Sequence, residues 1–179
     1  RHEETHEVSL KKMADIVLRI VEQEGPVHED EVVVRVRSLW GLGRAGSRIQ
    51  DAVSKAIRVL VKEKRCVWGD GFTTIPGAPI IIRDRENVSS TGLRKPEMLP
   101  PSEIRAAILA LIDAHHGATR DEIPTAVARI LGFKSTSGQL HGVIESQVAR
   151  LAREGSIVES DGMFRRAEKS ETAQVVPPS

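Results

Sequence analysis

Residues 35–65 carry nine basic side chains (Arg35, Arg37, Arg44, Arg48, Lys55, Arg58, Lys62, Lys64 and Arg65) against two acidic ones. The chemistry on offer is electrostatic. Lysine and arginine neutralise phosphates, and arginine adds a planar fork that matches a phosphate or a guanine edge with two parallel hydrogen bonds. Spacing decides where this charge goes. Ile49, Ala52, Val53, Ala56, Ile57 and Leu60 recur as one apolar face of a helix, so Arg48, Asp51, Ser54, Lys55, Arg58 and Lys62 project from the opposite side. Arg44, Ser47 and Arg48 stand at the helix start, the end that meets base edges when such a helix lies in a major groove. Arg48 suits the bidentate contact. The candidate DNA-contacting residues are therefore Arg44, Ser47, Arg48, Lys55, Arg58 and Lys62.

Other chemistry finds little footing. Gly41-Leu42-Gly43-Arg44-Ala45-Gly46 spells the glycine pattern of a dinucleotide site. That pattern needs a buried parallel strand before it, and Val32 to Trp40 carries Arg35 and Arg37, so a turn before a helix is expected instead. His115-His116 adjoin at a helix end, while His28 and His141 are isolated, and none of these four has the i,i+4 spacing that holds a metal. The pairs Asp30-Glu31 and Asp121-Glu122 fall where a helix dipole favours acids, which points to capping rather than acid/base catalysis. Cys66 is the only cysteine, so no intrachain disulfide and no thiolate zinc cluster forms. Tyr is absent and aromatics make up 3%, which argues against the stacking platforms of single-strand and RNA-binding sheets. No catalytic residue, cofactor or metal is expected. With no apolar run near membrane-spanning length and no signal peptide before the first helix, a cytoplasmic chain without a membrane partner is expected. The start at Arg1, without Met, suggests a fragment or processed form of something longer.

The elements that position the basic face occur twice. Residues 14–72 align without gaps on residues 105–163, at a constant offset of 91. Asp30-Glu31 falls on Asp121-Glu122, Gly41 on Gly132, Leu60 on Leu151 and Asp70-Gly71 on Asp161-Gly162. Each copy shows helical apolar spacing three times, then two short β-type runs about an Asp-Gly turn. This order predicts an α+β, mostly helical chain of two tandem winged helix-turn-helix domains, each with three helices and a β-hairpin. The expected bounds are a tail at 1–10, a first domain at 11–75, a linker at 76–101, a second domain at 102–166 and a polar tail at 167–179. Within the linker, Pro79-Ile80-Ile81-Ile82 is read as an extra strand on the first wing, Asn87 to Gly92 as an exposed, mobile loop, and Arg94 to Pro101 as an ordered spacer. The copies differ in surface: residues 126–156 hold only Arg129, Lys134, Arg150 and Arg153 against two acids.

Gly25-Pro26-Val27-His28-Glu29-Asp30-Glu31, Arg44-Ala45-Gly46-Ser47-Arg48-Ile49, Arg94 to Pro101 with Glu103-Ile104, and Gly132-Phe133-Lys134 together resemble an uncharacterised bacterial domain. That domain stands at the C-terminal end of large DNA-helicase-related proteins, which combine a superfamily 1 helicase core with a restriction-endonuclease-like domain. The likeness covers about residues 14–164, and the linker motif is its most specific part. It implies a non-catalytic accessory DNA-binding end of a helicase- and nuclease-related polypeptide, with duplex DNA and the rest of that polypeptide as partners. ATP-dependent helicase or nuclease activity would belong to the parent protein alone. Where such domains repeat an Arg-Thr-Gly-Ser-Arg-like turn in the second copy, this chain has Ser135-Thr136-Ser137-Gly138-Gln139-Leu140, so the nucleic-acid reading rests on the first copy. The alternative is a protein-docking module with no direct nucleic-acid contact.

Overall fold

A computed structural model describes residues 9–39 and 47–168. Among them the chain is mixed α and β, mostly helical, with helices α1 (Leu10–Glu24), α2 (Glu29–Leu39), α3 (Ser47–Lys62), α4 (Pro101–His115), α5 (Glu122–Ile130) and α6 (Gly138–Arg153). The strands are β1 (Val27–His28), β2 (Val67–Gly69), β3 (Phe72–Thr74), β4 (Ala118–Thr119), β5 (Ile157–Ser160) and β6 (Met163–Arg166). Most elements of the second set begin 91 residues after their counterparts in the first, as Leu10 and Pro101 do, or Ser47 and Gly138. The chain divides into two compact units, Arg1–Ile81 with Asn87–Glu103, and Ile82–Glu86 with Ile104–Ser179.

In the first unit Met13, Val17, Ile20 and Val21 of α1 meet Val32, Val33 and Val36 of α2 and Ile49, Val53, Ala56, Ile57 and Leu60 of α3 in one buried cluster. The i, i+3, i+4 spacing makes each helix one-sided, and burying those sides against one another drives their assembly. Cys66 closes the cluster, and burial pushes its thiol pKa up. The second unit repeats the scheme with Ile104, Ile108 and Ile112 of α4, Ile123 and Val127 of α5, and Leu140, Ile144, Val148 and Leu151 of α6.

Each unit carries a three-stranded antiparallel sheet, ordered β1-β3-β2 and β4-β6-β5. The hairpins turn where Asp-Gly pairs predict: Asp70 and Gly71 have φ of 55° and 85°, Asp161 and Gly162 have 54° and 76°. Both central residues are then left-handed, the geometry whose twist matches flanking antiparallel strands. The two-residue strands β1 and β4 were not among the expected elements. They pair with β3 and β6, Val27 opposite Thr73 and Ala118 opposite Phe164. The expected strand at Pro79–Ile82 does not form, and Ile80 and Ile81 stand exposed instead. Pro79 has no N–H to give a ladder, and a strand exposed on both faces gains no burial for the entropy it loses. Further on, short 3-10 helices span Thr91–Arg94 and Pro96–Met98.

Helix ends are handled differently in the two units. In the second, Thr119 and Glu122 cap α5 reciprocally: Thr119 N–H donates to Glu122 Oε2 at 3.0 Å and Glu122 N–H to Thr119 Oγ1 at 3.2 Å. In the first, His28 stands in the threonine's place and its Nδ1 accepts from Asp30 N–H at 3.1 Å. Glu31, opposite Glu122 in the alignment, is buried and lies 3.4 Å from Arg35 Nη2. Of the acidic pairs, Glu122 thus caps its helix and Glu31 pairs with Arg35, while the Asp121 side chain makes no capping bond.

The Thr119 hydrogen bonds, backbone first and hydroxyl second, hold the Glu122 carboxyl below its ordinary pKa. A depressed folded-state pKa contributes stability that is whole above the unfolded value and is lost as pH falls through the folded one. Acid titration of thermal stability should therefore show a loss that Glu122→Gln removes, because the amide keeps an acceptor and has no proton to gain.

At the end of α3, Arg65 N–H reaches Leu60 O at 2.9 Å and Lys64 N–H reaches Val61 O at 3.0 Å. This is the paired closure that wants glycine at its left-handed position. Lys64 occupies that position with φ 58°, whereas Gly155 fills it after α6 with φ 76°. Relieving the side-chain penalty predicts that Lys64→Gly stabilises the protein by about 1 kcal/mol, and that Gly155→Ala destabilises it by a similar amount. Denaturant titration of both variants checks the pair.

Candidate nucleic-acid interface

Helix α3 sets the geometry. Its buried residues Ile49, Val53, Ala56, Ile57 and Leu60 hold one side against the core, and Arg48, Asp51, Lys55, Arg58 and Lys62 lie exposed on the other. Successive steps of seven, three and four residues keep the four cations within an arc of about 80° at 100° per residue. Among the described residues, none of these four is engaged in an ion pair or hydrogen bond. Their charge is available to solvent.

Ser54 departs from expectation. It is half-buried, and its hydroxyl donates to Glu29 Oε1 at the start of α2, so it ties two helices together instead of joining the exposed face. Arg35 also leaves the basic surface. Its Nε donates to Glu24 Oε1 at 2.8 Å, and that bond, ahead of an opposing desolvation and the attraction of Glu24 and Glu31, raises its pKa. Arg44 lies outside the described residues, as does the glycine pattern 41–46; Ser47 opens α3, but its side chain is likewise outside them. Val32 to Leu39 belong to helix α2, not to the strand that a dinucleotide site requires.

Beside the cationic stripe runs a groove of about 450 Å³, lined by Glu29, Ser54, Ile57, Arg58, Val61, Lys62 and Trp68. Trp68, on the edge strand β2, is 50% exposed. The sequence reading passed over Trp68 because a low aromatic fraction counts residues and says nothing of where one stands. No local signal marked it: Cys66, two residues earlier and on the same face by strand alternation, is buried, and the exposure of Trp68 is set by what packs on the hairpin.

The second unit has the corresponding groove, about 370 Å³, lined by Arg120, Gly142, Glu145, Ser146, Val148, Ala149, Ala152 and Phe164. At the offset of 91, Ala149 replaces Arg58, Ala152 replaces Val61, Glu159 replaces Trp68 and Arg120 replaces Glu29. Arg120 and Glu159 pair at 3.0 Å. On the same helix Arg150 is held by Glu154 at 2.9 Å. One framework therefore carries, among the described residues, a groove with unpaired cations and an exposed indole in the first unit, and in the second a groove whose Arg120 is paired with Glu159 and lies over the Phe164 ring.

A family model described as "Protein of unknown function (DUF3320)" matches residues 3–51. The match takes in α1, β1, α2 and the first residues of α3, well under half of the chain. No curated protein and no solved structure matches the chain. Among the described residues, no helix is long and apolar enough to cross a membrane.

Proposed function

We propose that the chain is a tandem winged-helix module, non-catalytic in itself, that serves as the accessory DNA-binding end of a helicase- and nuclease-related protein. The winged-helix reading is supported by the order helix, short strand, two helices and hairpin, with the short strand pairing to the second strand of the hairpin. One observation carries the DNA reading: Arg48, Lys55, Arg58 and Lys62 form a stripe opposite the buried face of the third helix of the first unit, without partners among the described residues. In a winged helix that face meets the major groove, and Arg44 and Ser47 precede it in the chain. The helicase link rests on the resemblance alone.

Binding energy would come chiefly from phosphates. Three to four contacts predict a slope of log affinity against log salt of about −3 to −4 on duplex DNA. Titrating labelled duplex, single-stranded and forked DNA across salt concentrations tests this, and undetectable duplex binding at low salt would overturn it. Docking to a partner protein is the second reading. Ile80 and Ile81, 53% and 66% exposed, and Val158, 51% exposed, favour it.

A further inference from the structure

We infer that the groove between α3 and the hairpin of the first unit takes one unpaired nucleotide, its base stacked on Trp68 and its phosphates held by Arg58 and Lys62. The module would then prefer duplex DNA with a single-stranded tail over blunt duplex. The inference rests on the DNA reading above and deepens it by naming the form of DNA.

The groove's chemistry points to a base with its phosphate. Ile57, Val61 and the half-exposed indole of Trp68 make an apolar wall and an aromatic face, with two cations at the same rim that have no partner among the described residues. A nucleotide is flat and apolar on its base faces and anionic at its backbone, so it matches both parts at once. A protein segment would satisfy the apolar wall and leave Arg58 and Lys62 facing nothing of opposite charge unless it were acidic. Glu29, the one carboxylate among the described lining residues, stands at the start of α2 and accepts a hydrogen bond from Ser54, which fixes it to the wall beside the positive end of that helix.

The second unit serves as an internal control. Its groove has similar dimensions and descends from the same helix and hairpin, yet Glu159 stands at the tryptophan's position and Ala149 at the arginine's. The Arg120–Glu159 pair neutralises the rim, and the acidic side chain offers no stacking face. Arg153 keeps a cation at the position of Lys62, so what distinguishes the first unit is Trp68 together with Arg58, the stacking face and the second phosphate ligand.

The distinction also separates two roles along α3. Arg48 and Lys55 lie toward the start of the helix and outside the groove, whereas Arg58 and Lys62 line it. Duplex held by the first pair would place a departing strand at the second, next to Trp68.

The test uses the full chain with a blunt duplex, the same duplex carrying an unpaired tail, and the tail oligonucleotide alone. Tailed DNA should bind about tenfold more tightly than blunt DNA, the effect of one stacked base, and should quench tryptophan emission. Trp68→Leu should abolish that quench and bring the two affinities together, while Trp68→Phe should keep most of the preference. Equal affinities for tailed and blunt DNA, or a preference and quench that survive Trp68→Leu, overturn the inference and leave the DNA reading standing. If blunt duplex does not bind, the DNA reading fails by itself. A Trp68-dependent quench by the single-stranded oligonucleotide would then still support the groove, and its absence would sink it in favour of a protein segment.

Discussion

Arg48→Ala combined with Lys55→Ala should flatten the dependence of duplex affinity on salt by about two units of slope. Both side chains are exposed on α3 and have no partner among the described residues, so each is free to displace one counterion from a phosphate. Their removal leaves the buried face of the helix untouched, and unfolding is not the expected cause of weaker binding. A parallel variant, Lys134→Ala with Arg150→Ala in the second unit, removes the same formal charge and should change the slope less. Arg150 is already paired with Glu154 at 2.9 Å, and the helix that carries it is nearly neutral. Fluorescence anisotropy on a labelled duplex over a range of salt concentrations reads both variants. A slope unmoved by losing Arg48 and Lys55 would defeat the DNA reading and make protein docking the preferred account.

Gly132→Ala is expected to destabilise the second unit by about 2–4 kcal/mol. The residue has φ +88°, a conformation that side chains rarely adopt, so the alanine pays for backbone strain first. Its second cost is steric. A Cβ there would run into Asp84 Oδ1 and the backbone nitrogens of Arg85 and Glu86, none of which yields like the far end of a long side chain. Displacing that segment breaks the bond from Arg85 N–H to Leu131 O, 3.0 Å long, and exposes Arg85, which is buried. Gly162→Ala isolates the first cost: its φ is +76°, but nothing lies within 4 Å of the added carbon. Denaturant unfolding should place Gly132→Ala well below Gly162→Ala, and limited proteolysis should find residues 82–86 newly cleavable only in the former. Equal losses in the two variants would show that residues 82–86 do not hold against Gly132.

Long amphipathic helices and Asp-Gly hairpins were legible in the sequence because both leave a strong local signature, the apolar period in one case and the left-handed turn in the other. The helix order around the basic stretch, and the exposure of Arg48, Lys55, Arg58 and Lys62, followed from the positions of the apolar residues alone. Strands β1 and β4 were illegible because two residues cannot show an alternation, and their pairing is decided by β3 and β6 far along the chain. Pro79-Ile80-Ile81-Ile82 misled in the opposite direction: it has β-type composition but no sheet edge to join. Ser54 was misplaced on the exposed face, because its contact with Glu29 depends on how α2 enters the unit. Trp68 required knowing which side of a hairpin remains uncovered.

The discontinuous membership of residues 76–103 bears on how the molecule can be taken apart. Residues Ile82–Glu86 belong with the second unit, and Asn87–Glu103, though later in the chain, belong with the first. The backbone thus visits one body, goes back to the other, and only then begins its next helix. A single scission anywhere between Ile81 and Ile104 strands a piece of one body on the wrong fragment, so no single cut releases both bodies whole.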